Sequence, residues 1–290
     1  MEELHIPVLL NEVLATLDPK PGESYLDLTA GYGGHASKIL DVTRNYKDSC
    51  LVDRDENAVR YLSEKFDGQI KIINEDFYSA VLQLIECGKT FDLVLADFGV
   101  SSPQLDRAER GFSFSKDGPL DMRMDDRQKL TADEIVNKWS ERELAEIFVR
   151  YGEEKPGRAK MLAREIVHSR PVKGTKELAD IILRKSRYSK THPATKIFQA
   201  IRIVVNNELD EIEKTLKLLP KVLKPGGRVA LITFHSLEDR LAKEYFREVS
   251  EYGEESELSL ITRKPITAEE MELVINPRSR SAKLRAAKRN

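Results

Sequence analysis

The sequence predicts an α/β fold: a parallel sheet with helices on both faces, carrying an inserted all-helical domain. Three observations predict it. Short apolar strands alternate with amphipathic helices through the first third of the 290 residues. Strand signals then vanish from about Leu105 to Ala200, and they return near the C-terminal end. Strands separated by helical stretches cannot pair as hairpins, so they build βαβ units.

Taken in order, Ser24–Thr29 (SYLDLT) reads as the first strand, followed by the loop Gly31-Tyr32-Gly33-Gly34 and a helix from about His35 to Val42. Asp48–Asp53 is the second strand and Glu56–Phe66 the second helix. Ile70–Asn74 is the third strand, closed by Asp76-Phe77, with Ser79–Cys87 helical after it. Phe91–Asp97 is an apolar run ending on an acid. The Gly99, Ser101, Ser102 and Pro103 that follow are turn formers that cannot continue a strand.

The insertion carries helix signals only. Thr131-Ala-Asp-Glu134 is a capping box, and Glu141–Tyr151 and Arg158–Ser169 have apolar residues at helical spacing. Thr175–Ser186 does the same, with Thr175 as its cap. Ile201–Leu223 reads as one long helix stopped by Lys224-Pro225-Gly226-Gly227. Arg228–Phe234 is a fifth strand and Leu237–Val249 its helix. Leu258–Thr262 and Ala282–Ala287 form a final antiparallel pair. The domain reading is therefore 1–105 and 201–290 for the sheet domain, with 106–200 inserted.

Hydrophobic residues make up 40% and charged residues 33%, the balance of a water-soluble globular chain. No apolar run approaches the roughly 18 residues that span a bilayer. The opening MEELHIPVLLNEVLATLD has no basic segment before its apolar part, so a secretory signal is not expected and the cytoplasm is. Cys50 and Cys87 read as core thiols in a reducing compartment. His5, His35, His168, His192 and His235 lack ligand-like spacing to acids or cysteines, so no metal is expected.

A net charge of -2 decides nothing about nucleic acid, but its distribution does. From Asn276 to Asn290 the chain carries Arg278, Arg280, Lys283, Arg285, Lys288 and Arg289 with no acid, a run suited to phosphates. A second basic cluster comprises Lys155, Arg158, Lys160, Arg164, Arg170, Lys173 and Lys176.

Gly31-Tyr32-Gly33-Gly34-His35-Ala36 satisfies the G-x-G-x-x-A dinucleotide fingerprint. Asp53, about 20 residues on at the end of the second strand, stands where an acid binds ribose hydroxyls. A nicotinamide dehydrogenase is thus one reading. Another is a turn glycine pair, an ordinary helix cap at Asp53 and a core aromatic at Phe77. Asp97 ends a buried strand at the crevice where open α/β sheets bind ligands, and His35 opens a helix whose N-terminus suits a ligand.

The segment Leu95–Met124, LADFGVSSPQLDRAERGFSFSKDGPLDMRM, closely resembles the signature of the bacterial MraW/RsmH methyltransferases. Thr191–Arg202 (THPATKIFQAIR) and Asn276–Arg285 (NPRSRSAKLR) are similar to further family segments, and the resemblance covers nearly the whole chain. Asp27-Leu-Thr-Ala-Gly-Tyr-Gly-Gly34 also resembles the acid-x-G-x-G-x-G loop of methyltransferases, with Thr29 where the first glycine is usual. The resemblance implies a Rossmann-like class I methyltransferase sheet and S-adenosylmethionine as cofactor. It implies methylation of the exocyclic N4 of a cytidine in 16S ribosomal RNA of the small subunit. It places Gly33, Gly34, His35, Asp53, Phe77, Asp97 and Gln104 at cofactor-binding positions, and the inserted domain at RNA recognition.

The chemistry adds catalytic candidates. A cytosine amine is a poor nucleophile because its lone pair is delocalised into the ring, so a nearby acceptor helps it pyramidalise. Asp97 is the candidate, either as that acceptor or in orienting the methionine portion of the cofactor. Phe98 can stack on a flipped base or serve the core. His235, in Thr233-Phe234-His235-Ser236 at the end of the fifth strand, can take the departing proton or be structural. Two alternatives stay open: the same fold acting on another base or a small amine, and a non-catalytic RNA-binding assembly factor that keeps the pocket.

Overall fold

The computed structural model describes residues 7–186, 192–250 and 256–290. The first half runs α1 (Leu10–Leu17), β1 (Tyr25–Asp27), α2 (Gly34–Thr43), β2 (Cys50–Val52), α3 (Glu56–Phe66), β3 (Lys71–Ile73), α4 (Phe77–Glu86) and β4 (Phe91–Asp97). Six helices follow: α5 (Ser102–Asp106), α6 (Ala132–Lys138), α7 (Glu141–Arg150), α8 (Pro156–His168), α9 (Thr175–Arg184) and α10 (Ala194–Asn206). Then come α11 (Glu208–Leu216), α12 (Leu219–Val222), β5 (Leu223–Thr233), α13 (Ser236–Ser250), β6 (Leu258–Leu260), α14 (Glu270–Ile275) and β7 (Lys283–Arg289). The chain divides into two compact units, Met1–Gly99 with Leu209–Asn290, and Val100–Glu208.

The first unit is a seven-stranded sheet in the order β3-β2-β1-β4-β5-β7-β6. β1 to β5 are parallel, and β7 runs antiparallel between β5 and β6. Period-two alternation sends β4 to both faces. Leu93 and Leu95 join Leu9, Val13, Ile39, Leu51 and Ile232 in one core, while Val94 and Ala96 join Leu26, Val52, Leu84 and Leu231 in the other. Asp55 caps α3 by accepting the Asn57 amide, and Asp76 caps α4 by accepting the Ser79 amide.

Val100–Glu208 is helical, with no strand among its described residues. Its core gathers Phe112, Met122, Ile135, Leu144, Phe148, Leu162, Ile166, Leu178, Ile182, Ile197, Phe198 and Ile201. Thr131 caps α6 by accepting the Glu134 amide, and Ser140 and Glu143 form a reciprocal capping box on α7. In the long loop before α6, Gly118 has no room for a side chain: a Cβ there would lie 1.9 Å from the Ala108 carbonyl oxygen. The Asn206 side chain pins that loop, donating to the Met122 carbonyl and accepting from the Met124 amide, each at 2.8 Å.

Several expectations are corrected. The stretch 201–223 is not one helix. Asn207 takes a left-handed φ of 51°, ending α10 and separating it from α11 and α12. The helical run does end just before Lys224–Gly227, with α12 closing at Val222, but those four residues lie inside β5. Leu223 pairs with Phe91 and Arg228 with Leu93, so the extra residues bulge from the ladder, with Gly226 at φ 78°. Asp76-Phe77 opens α4 rather than closing β3. Thr175 is the first residue of α9, not its cap; its hydroxyl donates to the Lys116 carbonyl and accepts from the Gly118 amide. Asp53 is not a cap, since Asp55 holds that place. Cys50 is buried as expected, whereas Cys87, just past the end of α4, is exposed.

The basic tail is partly built into the sheet, while Arg280 and Lys288 are exposed. In β7, Lys283 and Arg285 pair with Asp239 at 2.9 and 2.7 Å, and Arg289 donates to the Leu223 carbonyl. In the second cluster Arg170 donates to the Val136 and Trp139 carbonyls, and Arg158 pairs with Glu154. Lys155, Lys160, Arg164, Lys173 and Lys176 are exposed. Phe198 packs edge-on to Phe114 in the core, and Arg202 holds Glu208 through two bonds of 2.8 and 2.9 Å. Thr191 and His5 lie outside the described residues. Among the described residues no helix is long and apolar enough to cross a membrane.

Candidate active site

The strand order reverses between β1 and β4, where helices cross to opposite faces and the carboxyl ends of open α/β sheets leave a crevice. Asp27 ends β1, Asp97 ends β4, Asp53 follows β2 and Thr233 ends β5. Three carboxylates thus come to one edge of the sheet from segments far apart in sequence.

The loop after β1 is shaped by what surrounds it. The Ala30 amide donates to the Val52 carbonyl at 2.9 Å, steering the chain toward β2, and the Gly31 amide donates to Asp53 Oδ2 at 2.7 Å. Gly33 caps α2 at φ 72°, where a Cβ would meet Leu62 at 2.9 Å; one on Gly34 would lie 2.5 Å from the Pro7 ring. Gly33 is therefore required by its left-handed backbone and Gly34 by packing alone. Lys65 of α3 donates to the Tyr32 and Gly33 carbonyls at 3.2 and 3.1 Å, holding the loop from outside.

Asp53 is partly buried and uses both oxygens: Oδ1 accepts from the Asp55 amide at 2.8 Å, Oδ2 from Gly31. Burial pushes its pKa up to about 6 against those two amides, which lower it. Each oxygen keeps a second lone pair for a hydroxyl donor. Asp27 is fully buried, accepting from the Tyr25 hydroxyl at 2.7 Å and the Thr29 amide at 3.1 Å. Burial outweighs these bonds and raises its pKa to about 6 as well. The Tyr25 phenol, buried beside that carboxyl, is raised well above its ordinary value.

His35, in the first turn of α2, is 7% exposed, and neither ring nitrogen makes a hydrogen bond among the described residues. Its Nε2 lies 3.7 Å from Asp97 Oδ2, and Asp97 Oδ1 is likewise buried without a partner. Buried polar atoms are nearly always satisfied, so unsatisfied ones at a crevice mark a place for a polar ligand. A ligand with a positive centre, ribose hydroxyls and a negative group fits these residues: the Asp97 carboxylate for the positive centre, Asp53 as acceptor for ribose hydroxyls, and the N-terminus of α2 for the negative group.

Phe77 opens α4 with its ring 5.7 Å from that of Phe98, and the Arg54 guanidinium lies 5.6 Å above it while pairing with Glu211. Phe98 itself is 2% exposed within the sheet core, so it presents no face for stacking on a base. His235 lies just past the end of β5, next to the first residue of α13. Its Nδ1 accepts from the Glu238 amide at 3.3 Å, and its Nε2 lies 3.1 Å from Glu238 Oε1. Glu238 in turn accepts the Phe234 and His235 amides. His235 and Glu238 together close the start of α13 through the imidazole Nδ1, while Nε2 is buried without a hydrogen-bond partner among the described residues. Gln104 falls in the helical unit, where its carbonyl oxygen accepts the Ser101 amide at 2.9 Å in the box that starts α5.

Sequence reasoning passed over Tyr25 and Lys65, and it gave Gly31 and Thr29 only as positions of the glycine loop. Thr29 carried a signal, because it departs from glycine in an otherwise glycine-rich loop. Tyr25 and Lys65 gave none, since their contacts, like the bond from Gly31 to Asp53, arise only when β1, β2 and α3 come together.

The sequence model described as the MraW methylase family matches residues 2–290. A protein of Nostoc sp. named ribosomal RNA small subunit methyltransferase H is 46% identical over 292 residues, spanning 98% of this chain and 92% of that one. A protein of the same name from Acidobacterium capsulatum is 43% identical over 298 residues, spanning 99% of each. Among solved structures, the N-methyltransferase NodS of Bradyrhizobium japonicum, in complex with S-adenosyl-l-homocysteine, aligns at 9% identity with a TM-score of 0.44, over 97% of this chain and 85% of that one.

Proposed function

The chain belongs to the MraW methylase family, and from that premise we propose that it transfers a methyl group from S-adenosylmethionine to the exocyclic N4 of a cytidine in 16S ribosomal RNA. The observation that carries this reading is the buried, unsatisfied pair His35 and Asp97 beside the Asp53–Gly31 bond. Such a set suits a ligand with a positive centre at one end and ribose hydroxyls along its length.

Asp53 would hold the ribose through its remaining lone pairs, while Gly33, Gly34 and His35 would line the methionine portion at the start of α2. Phe77 would pack against the adenine. Gln104 joins this set by family resemblance. The cofactor supplies an activated methyl on a sulfonium, a strong leaving group, so the protein's task is positioning and electrostatics. The Asp97 carboxylate would face the positive centre of the cofactor, and its Oδ1 would also accept a hydrogen bond from the target amine, which lets the nitrogen pyramidalise and frees its lone pair from the ring. The same oxygen accommodates the proton as the amine becomes cationic. No second base is invoked for this step.

A target base must leave its stack to reach the crevice. The helical unit offers Lys155, Lys160, Arg164, Lys173 and Lys176, all exposed, as the phosphate grip. The direct test incubates the protein with isotopically labelled cofactor and purified small ribosomal subunits. Label in the RNA fraction, lost in Asp97→Asn, is expected. Label in the protein fraction or in a small molecule overturns the reading.

A further inference from the structure

Asp97 has a backbone problem that its side-chain chemistry conceals. The β1–β4 ladder pairs Asp27 with Leu95, and the Leu28 amide donates to the Leu95 carbonyl at 2.9 Å. Beyond that point the β1 chain leaves β4, because the Ala30 amide is already bonded to Val52 of β2. The Asp97 amide therefore faces a place from which the neighbouring backbone has departed. Thr29 fills it: the hydroxyl oxygen accepts the Asp97 amide at 2.6 Å. The amide of Thr29 in turn donates to Asp27 Oδ1, so one residue ties the last acid of β1 to the last acid of β4.

We propose that Thr29 is a positioning residue for the transfer reaction, holding the Asp97 backbone so that its carboxylate stays against His35. This rests on the methyltransferase reading above. A glycine here would offer no acceptor, leaving a part-buried amide without its protein partner at the position where the carboxylate must be aimed. The adjacent Phe98 amide is anchored on the other side, to the Ile232 carbonyl at 3.0 Å. Asp97 is thus gripped from both neighbouring strands, by a side chain on one and by backbone on the other.

Thr29→Val keeps the shape and removes the acceptor, and Thr29→Ser keeps the acceptor and removes a methyl. Amide hydrogen exchange read by NMR tests the bond itself. In Thr29→Val, exchange at Asp97 should rise roughly tenfold, about the worth of one hydrogen bond, with Leu28 and Leu95 unmoved. The kcat should fall by a similar factor at unchanged KM for RNA, and Thr29→Ser should restore both. Thr29→Ala, which also lacks the acceptor, takes its place if the valine variant does not fold. Unchanged exchange and kcat in the folded variant would overturn the proposal, as would a serine variant as impaired as valine. If the wild-type protein transfers no methyl while Asp97 exchange still depends on Thr29, the methyltransferase reading fails. Calorimetric affinity for S-adenosylhomocysteine across the three proteins then decides the role of Thr29: a loss in valine restored by serine supports it, and equal affinities refute it.

Discussion

His35 Nε2 lies 3.7 Å from Asp97 Oδ2, which joins the first turn of α2 to the last residue of β4 across the point where the sheet order reverses. The approach is too long for a strong hydrogen bond, and both imidazole nitrogens and Asp97 Oδ1 are buried without partners. A site that leaves such atoms unsatisfied gives up stability for a ligand that completes them.

Asp53→Ala removes the acceptor of the Gly31 amide together with two sites for ribose hydroxyls. Cofactor affinity should drop by on the order of 1–3 kcal/mol, measured calorimetrically with S-adenosylhomocysteine. Unchanged affinity would remove Asp53 from the cofactor site.

Asp27 and Asp53 both have pKa values raised to about 6 by burial, above the ordinary 3.8. The folded state therefore favours their protonated forms. Their contribution is fully present below about pH 4 and is lost as pH rises through 6, each amounting to on the order of 3 kcal/mol. In urea titrations from pH 4 to 7, Asp27→Asn should lose stability less steeply than wild type as pH rises. Parallel curves would show that Asp27 does not titrate in this window.

Phe98 sits in the sheet core against Phe77, so Phe98→Ala should cost about 3–5 kcal/mol of stability. Phe98→Leu should stay folded and retain methyl transfer within a few-fold. A folded leucine variant that has lost transfer would restore the stacking role that its burial argues against.

The two basic regions should separate in a salt titration. Neutralising Lys155, Lys160, Arg164, Lys173 and Lys176 should flatten the dependence of RNA affinity on salt, by about 0.7–0.9 in log–log slope for every phosphate that is no longer neutralised. Replacing Lys283 and Arg285 should lower stability instead. Burial would raise the Asp239 carboxyl, but hydrogen bonds from Arg285 and Lys283 outweigh it and hold the carboxyl below its usual range. An RNA salt slope that responds to the strand residues alone would reverse this assignment.

These contrasts show what the sequence could carry. Periodicity placed α3 at Glu56–Phe66 and β4 at Phe91–Asp97 to the residue, because each has a clean apolar period and a local boundary signal. At Lys224–Gly227 it found the stop, since α12 ends at Val222, but missed the bulge of β5, whose place depends on Phe91 and Leu93 of another strand. The same limit hid the basic tail. Lys283 and Arg285 look free in a run without acids, and their partner Asp239 lies 44 and 46 positions away. Within the site, the acids at the strand ends were legible from the strand pattern. The bonds that orient them, from Thr29 and Gly31, exist only once the sheet is assembled.

The central claim is most directly tested by mass spectrometry of nucleosides digested from small-subunit RNA after reaction with the protein and S-adenosylmethionine. The account predicts a single new product, N4-methylcytidine, formed by wild type and lost in Asp97→Asn. A methyl group on another nucleoside, or RNA left unmodified by protein that binds the cofactor, would contradict it.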